Sequence, residues 1–316
     1  MNGLGRSRQQ PCHHPESEQG GNFSGVLTDG SGRQRETALR SGRTAIGRAR
    51  AQRLLVTLLG DYWRADRAPL PSGGLVAALS EFDIAPANAR ATLSRLTQRG
   101  LLERTKEGRR TSYRLTEPAW HILRRGARRI FATTDETAWD GVWTLIAFTL
   151  PLDDASQRRL LRARLRWLTF WPLYDGTWVT PHDRFDEARE QLRELGITDA
   201  VVLRSQDLEL LPTGRARLES GWRIDDLAEG YRDFLAHYRD VARRAVEGGM
   251  SPRAALVHRT ELVDDWRALV GNDPDLPAEF LPPSFPRAEA RQMFLRTSEE
   301  LAQPAQLRFE ELVEST

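Results

Sequence analysis

The stretch from residue 85 to residue 116, APANARATLSRLTQRGLLERTKEGRRTSYRLT, has the pattern of a short helix followed by a two-stranded hairpin. Pro86 suits the first position of a helix, where no backbone N–H is needed. Three apolar residues then repeat at the spacing of one helical stripe, namely Ala89, Leu93 and Leu96. Because Gly100 is a typical helix terminator, the stretch predicts a helix that begins at Pro86 and ends close to Gly100.

The face of this helix opposite the apolar stripe is small, polar and basic. At about 100° per residue, this face carries Ala91, Ser94, Arg95 and Gln98, with Arg90 on its flank. A guanidinium group can form two hydrogen bonds with guanine in the major groove of DNA. We therefore interpret Arg90, Ser94, Arg95 and Gln98 as candidate DNA-binding residues, and Arg95 as the candidate for contact with guanine.

A basic hairpin is predicted directly after the helix. Its strands are expected at residues 101–105 and 111–115, on either side of the tip Lys106-Glu107-Gly108-Arg109-Arg110. Cations at such a tip can bind phosphates without reading bases, and we expect Lys106, Arg109 and Arg110 to do so. This order of elements is that of a winged helix-turn-helix, in which one helix enters the major groove and the hairpin contacts the neighbouring backbone.

The charge distribution supports nucleic acid as a partner. The whole chain is nearly balanced, with 46 basic and 44 acidic residues and a net charge of +2. Residues 86–116, however, contain eight basic and two acidic residues, and residues 1–140 carry +9 against −7 for residues 141–316. A basic front and an acidic rear indicate one module that binds a polyanion and another that does not. A solvated basic helix without a partner is the alternative, but helix and hairpin are basic together.

Several other classes of protein do not fit the sequence. No run reaches the ~18 apolar residues of a membrane span. The N-terminus lacks the apolar core of a signal peptide, so we expect a cytoplasmic protein. Cys12 is the only cysteine, which excludes an internal disulfide and a Cys-rich zinc site. No spacing of ligands suggests a metal or another cofactor.

The sequence predicts an α+β chain of several domains. Residues 1–43 are rich in Gly, Ser, Gln and Arg and are expected to be disordered. The winged helix-turn-helix should cover residues 44–116, and a linker helix residues 117–138. Residues 139–210 show the order βαββαβ of a ferredoxin-like fold, with WTLIAFTL as a buried central strand. Residues 211–316 should form an all-helical C-terminal domain.

Five segments, in this order, resemble the PaaX family of repressors of phenylacetic-acid catabolism. They are residues 89–96 with 100–103, residues 108–116, residues 140–145, residues 171–181 and residues 281–283. The resemblance extends from about residue 45 to the C-terminus. It implies a winged-helix domain, a ferredoxin-like central domain similar to Cas2, a helical C-terminal domain, and a homodimer on palindromic double-stranded DNA. The effector best known for the family is phenylacetyl-CoA.

An aryl-CoA effector would need cations for its phosphates and an apolar slot for its acyl group. One short region combines arginines with large aromatic residues. Its members, our candidate effector-binding residues, are Arg164, Arg166, Trp167, Trp171 and Trp178. The alternative is that these tryptophans fill the core between the central and C-terminal domains, where large aromatic side chains usually lie.

An enzyme is the main alternative class. Cas2-like nucleases have an Asp at the end of the first strand, in an Asp-aliphatic-Pro sequence, whereas this chain has Thr149-Leu150-Pro151. The carboxylate that would hold a metal is therefore missing. Asp153 and Asp154 follow at the start of the next predicted helix, where the helix dipole favours acidic residues anyway. No Ser-His-Asp grouping or nucleotide loop occurs, so we expect no catalytic residues. A third class is an adaptor without affinity for DNA.

Taken together, these observations predict a homodimeric repressor of aromatic, phenylacetate-type catabolic genes. We expect it to bind a palindromic operator and to be released by an aryl-CoA thioester such as phenylacetyl-CoA. The alternative is a winged-helix regulator of the same architecture with a different small-molecule effector or none.

Overall fold

The computed structural model describes residues 31–63, 68–131, 139–150 and 155–315. The chain divides into two compact units, Met1–Ile46 and Gly47–Thr316. In the first unit, the structure describes only residues 31–46, which are the beginning of a helix that starts at Ser31. That helix thus begins within the stretch for which the sequence predicts disorder. The packing that positions the predicted DNA-binding residues lies in the second unit.

The first elements are four helices and a small antiparallel sheet. They are α1 (Ser31–Tyr62), β1 (Leu70–Pro71), α2 (Ser72–Ser80), α3 (Pro86–Gln98), β2 (Leu102–Glu107), β3 (Arg110–Leu115) and α4 (Glu117–Ile130). The sheet has the order β1-β3-β2. The sequence of residues 64–71, RADRAPLP, predicts a loop, but Leu70 and Pro71 pair with Tyr113 and Ser112 of β3. A strand of two residues is too short to show a period of apolar residues, so the sequence pattern does not predict it.

Helix α3 begins and ends where its sequence predicts. Pro86 lies in the first turn, and the stripe residues Ala89, Leu93 and Leu96 are buried. At the other end Gly100 has a φ of +69°, a conformation that glycine adopts without strain. The Leu101 N–H donates to the carbonyl of Leu96 over 2.9 Å, and the Gly100 N–H donates to the carbonyl of Thr97 over 3.0 Å. These two bonds form a Schellman cap, which stops the helix at this point.

The central part has the predicted ferredoxin-like topology. Its elements are β4 (Trp143–Phe148), α5 (Ala155–Trp167), β5 (Trp171–Tyr174), β6 (Thr177–Thr180), α6 (Phe185–Glu194) and β7 (Ala200–Ser205). The strand order is β5-β6-β4-β7, with antiparallel pairing throughout. Strand β4 is central, as its apolar run predicts. The expected end of the strand at Pro151 and the acidic helix start at Asp153 and Asp154 lie outside the described residues.

The C-terminal part consists of helices. They are α7 (Pro212–Trp222), α8 (Ile224–Val246), α9 (Pro252–Asn272), α10 (Arg287–Glu300) and α11 (Ala302–Glu314). Aromatic side chains of α8 pack on Trp266 of α9 and Phe294 of α10, whose rings are stacked with centroids 4.8 Å apart. This cluster joins the three helices.

The N-terminal helices do not have a hydrophobic core of their own. Leu54 and Leu58 of α1 and Leu75 of α2 belong to one buried cluster with Phe309 and Val313 of α11. Leu256 of α9 is buried in the same cluster. The helices that precede the hairpin therefore rest on helices from the far end of the chain.

Polar contacts also cross this junction between α1 and α2 on one side and α9 and α11 on the other. Asp61 of α1 and Arg259 of α9 form a buried ion pair, and the guanidinium of Arg259 also lies 5.3 Å from the ring centroid of Tyr62. Burial raises the pKa of Tyr62 to about 12, so the phenol is neutral at physiological pH. Its hydroxyl group hydrogen-bonds to that of Thr260 over 3.2 Å. Because buried charges are costly unless they are paired, these contacts fix one arrangement of α1 on α9.

The close approach of α2 to α11 requires a glycine, which gives a test of this junction. A Cβ atom at Gly74 would lie 2.7 Å from Val313 Cα and 3.0 Å from the Leu312 carbonyl oxygen. We expect Gly74→Ala to lower the free energy of unfolding by about 1–3 kcal/mol, because both neighbours are backbone atoms that cannot move independently. Chemical denaturation followed by circular dichroism measures the change.

Gly126 in α4 provides the matched control, since nothing lies within 4 Å of a Cβ atom added there. Gly126→Ala should leave stability unchanged or raise it by up to about 1 kcal/mol. Equal effects of the two substitutions would contradict the tight contact between α2 and α11.

Candidate nucleic-acid interface

Most of the outer face of α3 is exposed. Arg90, Ala91, Ser94 and Gln98 are exposed, and Ala87 extends the same face toward the start of the helix. The small side chains of Ala87 and Ala91 leave room for another surface to approach the helix. The structure thus brings Arg90, Ser94 and Gln98 together on one exposed face.

Arg95 is placed differently from the other candidates on α3. Its side chain is half-buried, and its Nη2 donates a hydrogen bond of 2.8 Å to Thr92 Oγ1 on the same helix. A guanine contact would have to replace this bond, which contributes about 0.5–1.5 kcal/mol. Arg90 has no such bond within the described part of the chain, and it is therefore the more accessible guanidinium.

The hairpin after α3 is tighter than its sequence predicts. Strands β2 and β3 extend to Glu107 and Arg110, which lie opposite each other, so only Gly108 and Arg109 form the turn. Gly108 has a φ of +60° and Arg109 does not have a positive φ. Glycine at the first turn position with this sign of φ is typical of a type II′ turn, which matches the twist of a hairpin. Arg109 consequently lies at the very end of the hairpin.

Three of the eight basic residues in this region already have partners. Arg114 forms an ion pair of 2.6 Å with Glu103, its cross-strand neighbour. Arg99 donates a hydrogen bond of 3.3 Å to Gln52 of α1, and Arg95 is bound to Thr92. Each of these contacts neutralises or holds a cation that the sequence alone would count as free.

The other five basic residues are exposed and have no hydrogen bond or ion pair among the described residues. They are Arg90, Arg104, Lys106, Arg109 and Arg110. Sequence reasoning did not select Arg104, although the alternation of β2 places it on the same face of the hairpin as Lys106. We call these five unpaired cations, which lie on α3 and on both faces of the hairpin, the basic surface; cations of this kind can bind an extended polyanion.

The structure does not bring the five candidate effector residues together. Trp171 lies opposite Val179 in the sheet, and Trp178 lies opposite Pro172, so the two indoles project from opposite faces. Trp178 is buried beneath α5 and α6. Trp171 belongs to the cluster on the other face, next to Trp222 of α7. The two tryptophans therefore cannot line one slot.

The candidate arginines in α5 also have partners. Arg164 Nη1 contacts Glu194 Oε2 at 2.6 Å and Gln191 Oε1 at 2.9 Å. The guanidinium of Arg166 lies 4.9 Å from the ring centroid of Trp171. Trp167, at the end of α5, is half-buried. In this arrangement Arg164 and Arg166 fasten α5 to its neighbours, and both would have to change partners to bind a phosphate.

Two general features bear on the kind of site present. Within the described residues, no three His, Cys, Asp or Glu side chains converge in the manner of metal ligands. Every helix in the same part of the chain is too short or too polar for a transmembrane segment.

Comparison with known proteins finds that most of the chain matches models of one family. Residues 50–119 match the family model of the PaaX-like protein, residues 136–216 that of the PaaX protein central Cas2-like domain, and residues 222–311 that of the PaaX-like protein C-terminal domain. The transcriptional repressor PaaX of Escherichia coli K12 is 27% identical over 261 residues, which cover 81% of each chain. A solved structure, the uncharacterised protein Rv0674 from Mycobacterium tuberculosis, is 21% identical, with a TM-score of 0.49 over 80% of this chain and 97% of that one.

Proposed function

The chain belongs to the PaaX family and is a transcriptional regulator, and from this premise we propose that it represses genes by binding double-stranded DNA through a winged helix-turn-helix. The observation that carries the proposal is the basic surface formed by the unpaired cations of α3 and the hairpin. These cations are exposed, whereas the arginines on the inner side of the same domain have partners.

The assignment of a winged helix-turn-helix rests on the order and pairing of the elements. Helix α2 leads into α3 through a short turn, and α3 leads into a hairpin whose sheet has the order β1-β3-β2. In this motif the second helix of the pair enters the major groove, and the hairpin serves as the wing. We assign α3 as the recognition helix and β2–β3 as the wing.

The cations of α3 and those of the hairpin would have different roles in DNA binding. Arg90, Ser94 and Gln98, with Arg95 if it leaves Thr92, carry the groups that can read base edges. Arg109 lies in the hairpin turn and Lys106 and Arg110 lie in the strands beside it, where all three can bind phosphates and set the orientation of the helix α3.

We further propose a homodimer on a palindromic operator. Strand β7 is an edge of the central sheet, and its Val201 and Leu203 side chains are 54% and 50% exposed. Exposed aliphatic residues on an edge strand favour pairing with another strand, and antiparallel pairing of two β7 strands would generate a two-fold axis. Footprinting of the DNA upstream of the gene should then show two symmetric half-sites about 10 base pairs, or a multiple of that, apart.

The recognition helix can be tested with single arginine substitutions. Arg90→Ala and Arg95→Ala should each weaken operator binding by about 1–3 kcal/mol and relax selectivity at one base position. Titrations with the operator and with variants at single base pairs measure both effects. We expect the larger loss for Arg90→Ala, because Arg95 must first leave Thr92.

Arg232→Ala is a suitable control, since it removes an exposed guanidinium from α8. It should leave operator affinity and selectivity unchanged. Wild-type affinity and selectivity in both α3 variants would show that this helix does not read bases.

The wing can be tested by the dependence of binding on salt. The double variant Arg109→Ala/Arg110→Ala should weaken operator and random DNA about equally, because phosphate contacts carry no sequence information. The slope of log affinity against log salt concentration should become shallower by about 2. Arg239→Ala/Arg296→Ala, which removes two exposed arginines from α8 and α10, should leave that slope unchanged. An unchanged slope in the hairpin variant would exclude the wing from the DNA interface.

The proposed effector is an aryl-CoA thioester that releases the repressor from aromatic catabolic genes, as the family resemblance implies. Because Arg164 and Arg166 have partners and the tryptophans lie on opposite faces, the thioester would have to rearrange this region. Phenylacetyl-CoA, phenylacetate and CoA should therefore be titrated separately into the protein–operator complex, with release followed by fluorescence anisotropy. We expect release by the thioester alone; no release by any of the three would support the alternative regulator, with a different effector or none.

In the same experiment, the Trp171→Ala variant tests whether the thioester binds next to Trp171. If Trp171 contacts the acyl group, the concentration of thioester that releases half of the complex should rise while operator affinity stays the same. An unchanged concentration would place the thioester elsewhere in the protein.

A further inference from the structure

The turn between α2 and α3 is held by residues from the far end of the chain. The carboxylate of Glu81, the first residue after α2, is 8% exposed. Its Oε1 lies 2.5 Å from Nη2 of Arg308 in α11, and its Oε2 lies 2.5 Å from Nε of Arg253 in the first turn of α9. Glu81, Arg253 and Arg308 form a clamp that joins the turn to two C-terminal helices.

A further arginine holds the next residue of the turn. Arg50 of α1 donates from Nη1 to the carbonyl oxygen of Phe82 over 3.2 Å and from Nη2 to Glu261 Oε1 of α9 over 2.9 Å. The ring of Phe82 is buried in the shared core. Both the backbone and the side chain of this residue are therefore fixed.

The backbone between the clamp and α3 has little freedom. Asp83 has a φ of +59°, a left-handed conformation that non-glycine residues adopt at a cost. Ile84, which follows, is buried, and its N–H donates to the carbonyl oxygen of Leu79 over 3.3 Å. Because α3 begins at Pro86, the direction of the helix follows from the position of Glu81 on α9 and α11.

We propose that Glu81 is a positioning residue for DNA recognition, which sets the orientation of α3 relative to α9 and α11. Movement of α9 against α11 would pull the two guanidiniums apart and so change the presentation of α3. This inference rests on the proposed binding of operator DNA, and it names the contact through which the C-terminal domain acts on that binding.

The direction in which a substitution of Glu81 changes the affinity for DNA distinguishes a positioning role from a purely electrostatic one. Removal of a negative charge from a DNA-binding domain should raise its affinity for any DNA, because fewer charges oppose the phosphates. Glu81→Gln keeps the shape of the side chain and removes the charge. If Glu81 positions α3, the variant should bind the operator about tenfold more weakly, a loss of about 1.4 kcal/mol, and should bind random DNA as well as wild type or better.

Glu103→Gln is the matched control. Glu103 is an acidic residue of the hairpin that is paired with Arg114, and its side chain is 47% exposed. Its substitution also removes one negative charge but leaves the clamp intact, so affinity for operator and random DNA should rise together. Arg308→Gln should reproduce the loss of specificity seen in Glu81→Gln, and Arg308→Lys, which keeps the charge, should restore part of it.

Hydrogen exchange supplies a readout that does not depend on DNA. In Glu81→Gln and Arg308→Gln, the backbone amides of residues 82–85 and 87–90 should exchange about tenfold faster or more, while those of β4 and α10 keep wild-type rates. Faster exchange throughout the chain would reveal general destabilisation and would contradict a local positioning role. Arg253→Gln, which replaces a side chain that is itself 65% exposed, gives a second variant that should stay folded.

The outcomes distinguish this inference from the proposed function. Wild-type protein that binds no operator would refute the proposed function and this inference together. Wild-type protein that binds its operator, with Glu81→Gln and Arg308→Gln of equal affinity, selectivity and exchange rates, would refute the clamp alone.

Discussion

The arrangement of the N-terminal helices depends on the burial of α1 and α2 against α9 and α11. Leu55, Leu75 and Leu79 are completely buried there, in the same cluster as Phe309 of α11. Each buried side chain of this size contributes about 1.5–3 kcal/mol relative to an exposed one. Because α11 contributes Ala305, Phe309 and Val313 to this cluster, the helices that position the candidate DNA-reading helix share their core with the end of the chain.

Because of this burial, the two sides of the N-terminal helices and hairpin differ in chemistry. The inner side is covered by apolar packing and by arginines that have acidic partners on α9, such as Arg53 with Asp264 at 3.1 Å. The outer side contains α3 and the hairpin, where the cations lack partners in the described part of the chain. The basic surface is thus what remains exposed after the inner face has been buried.

Local patterns predicted much of this fold, and long-range contacts set the limits of prediction. The stripe of α3, its stop at Gly100, the hairpin and the βαββαβ order follow from periods of a few residues. The two-residue strand β1 is too short to show a period. The bond of Arg95 to Thr92 depends on side-chain rotamers, and the contacts of Glu81 with Arg253 and Arg308 join residues far apart in sequence. The opposite faces of Trp171 and Trp178, by contrast, follow from strand alternation once the pairing of β5 and β6 is known.

The opposite net charges of the two halves correspond to ion pairs that form between them. Acidic residues of the rear half pair with arginines of the front half across the junction, as in Arg50 with Glu261, where the two side chains are 44% and 35% exposed. Such partly exposed pairs contribute about 0–1 kcal/mol and weaken as salt screens them. DNA binding through several phosphate contacts loses far more affinity over the same range of salt. Salt should therefore dissociate the DNA long before it loosens the junction, whose apolar core and buried Asp61–Arg259 pair are shielded from solvent.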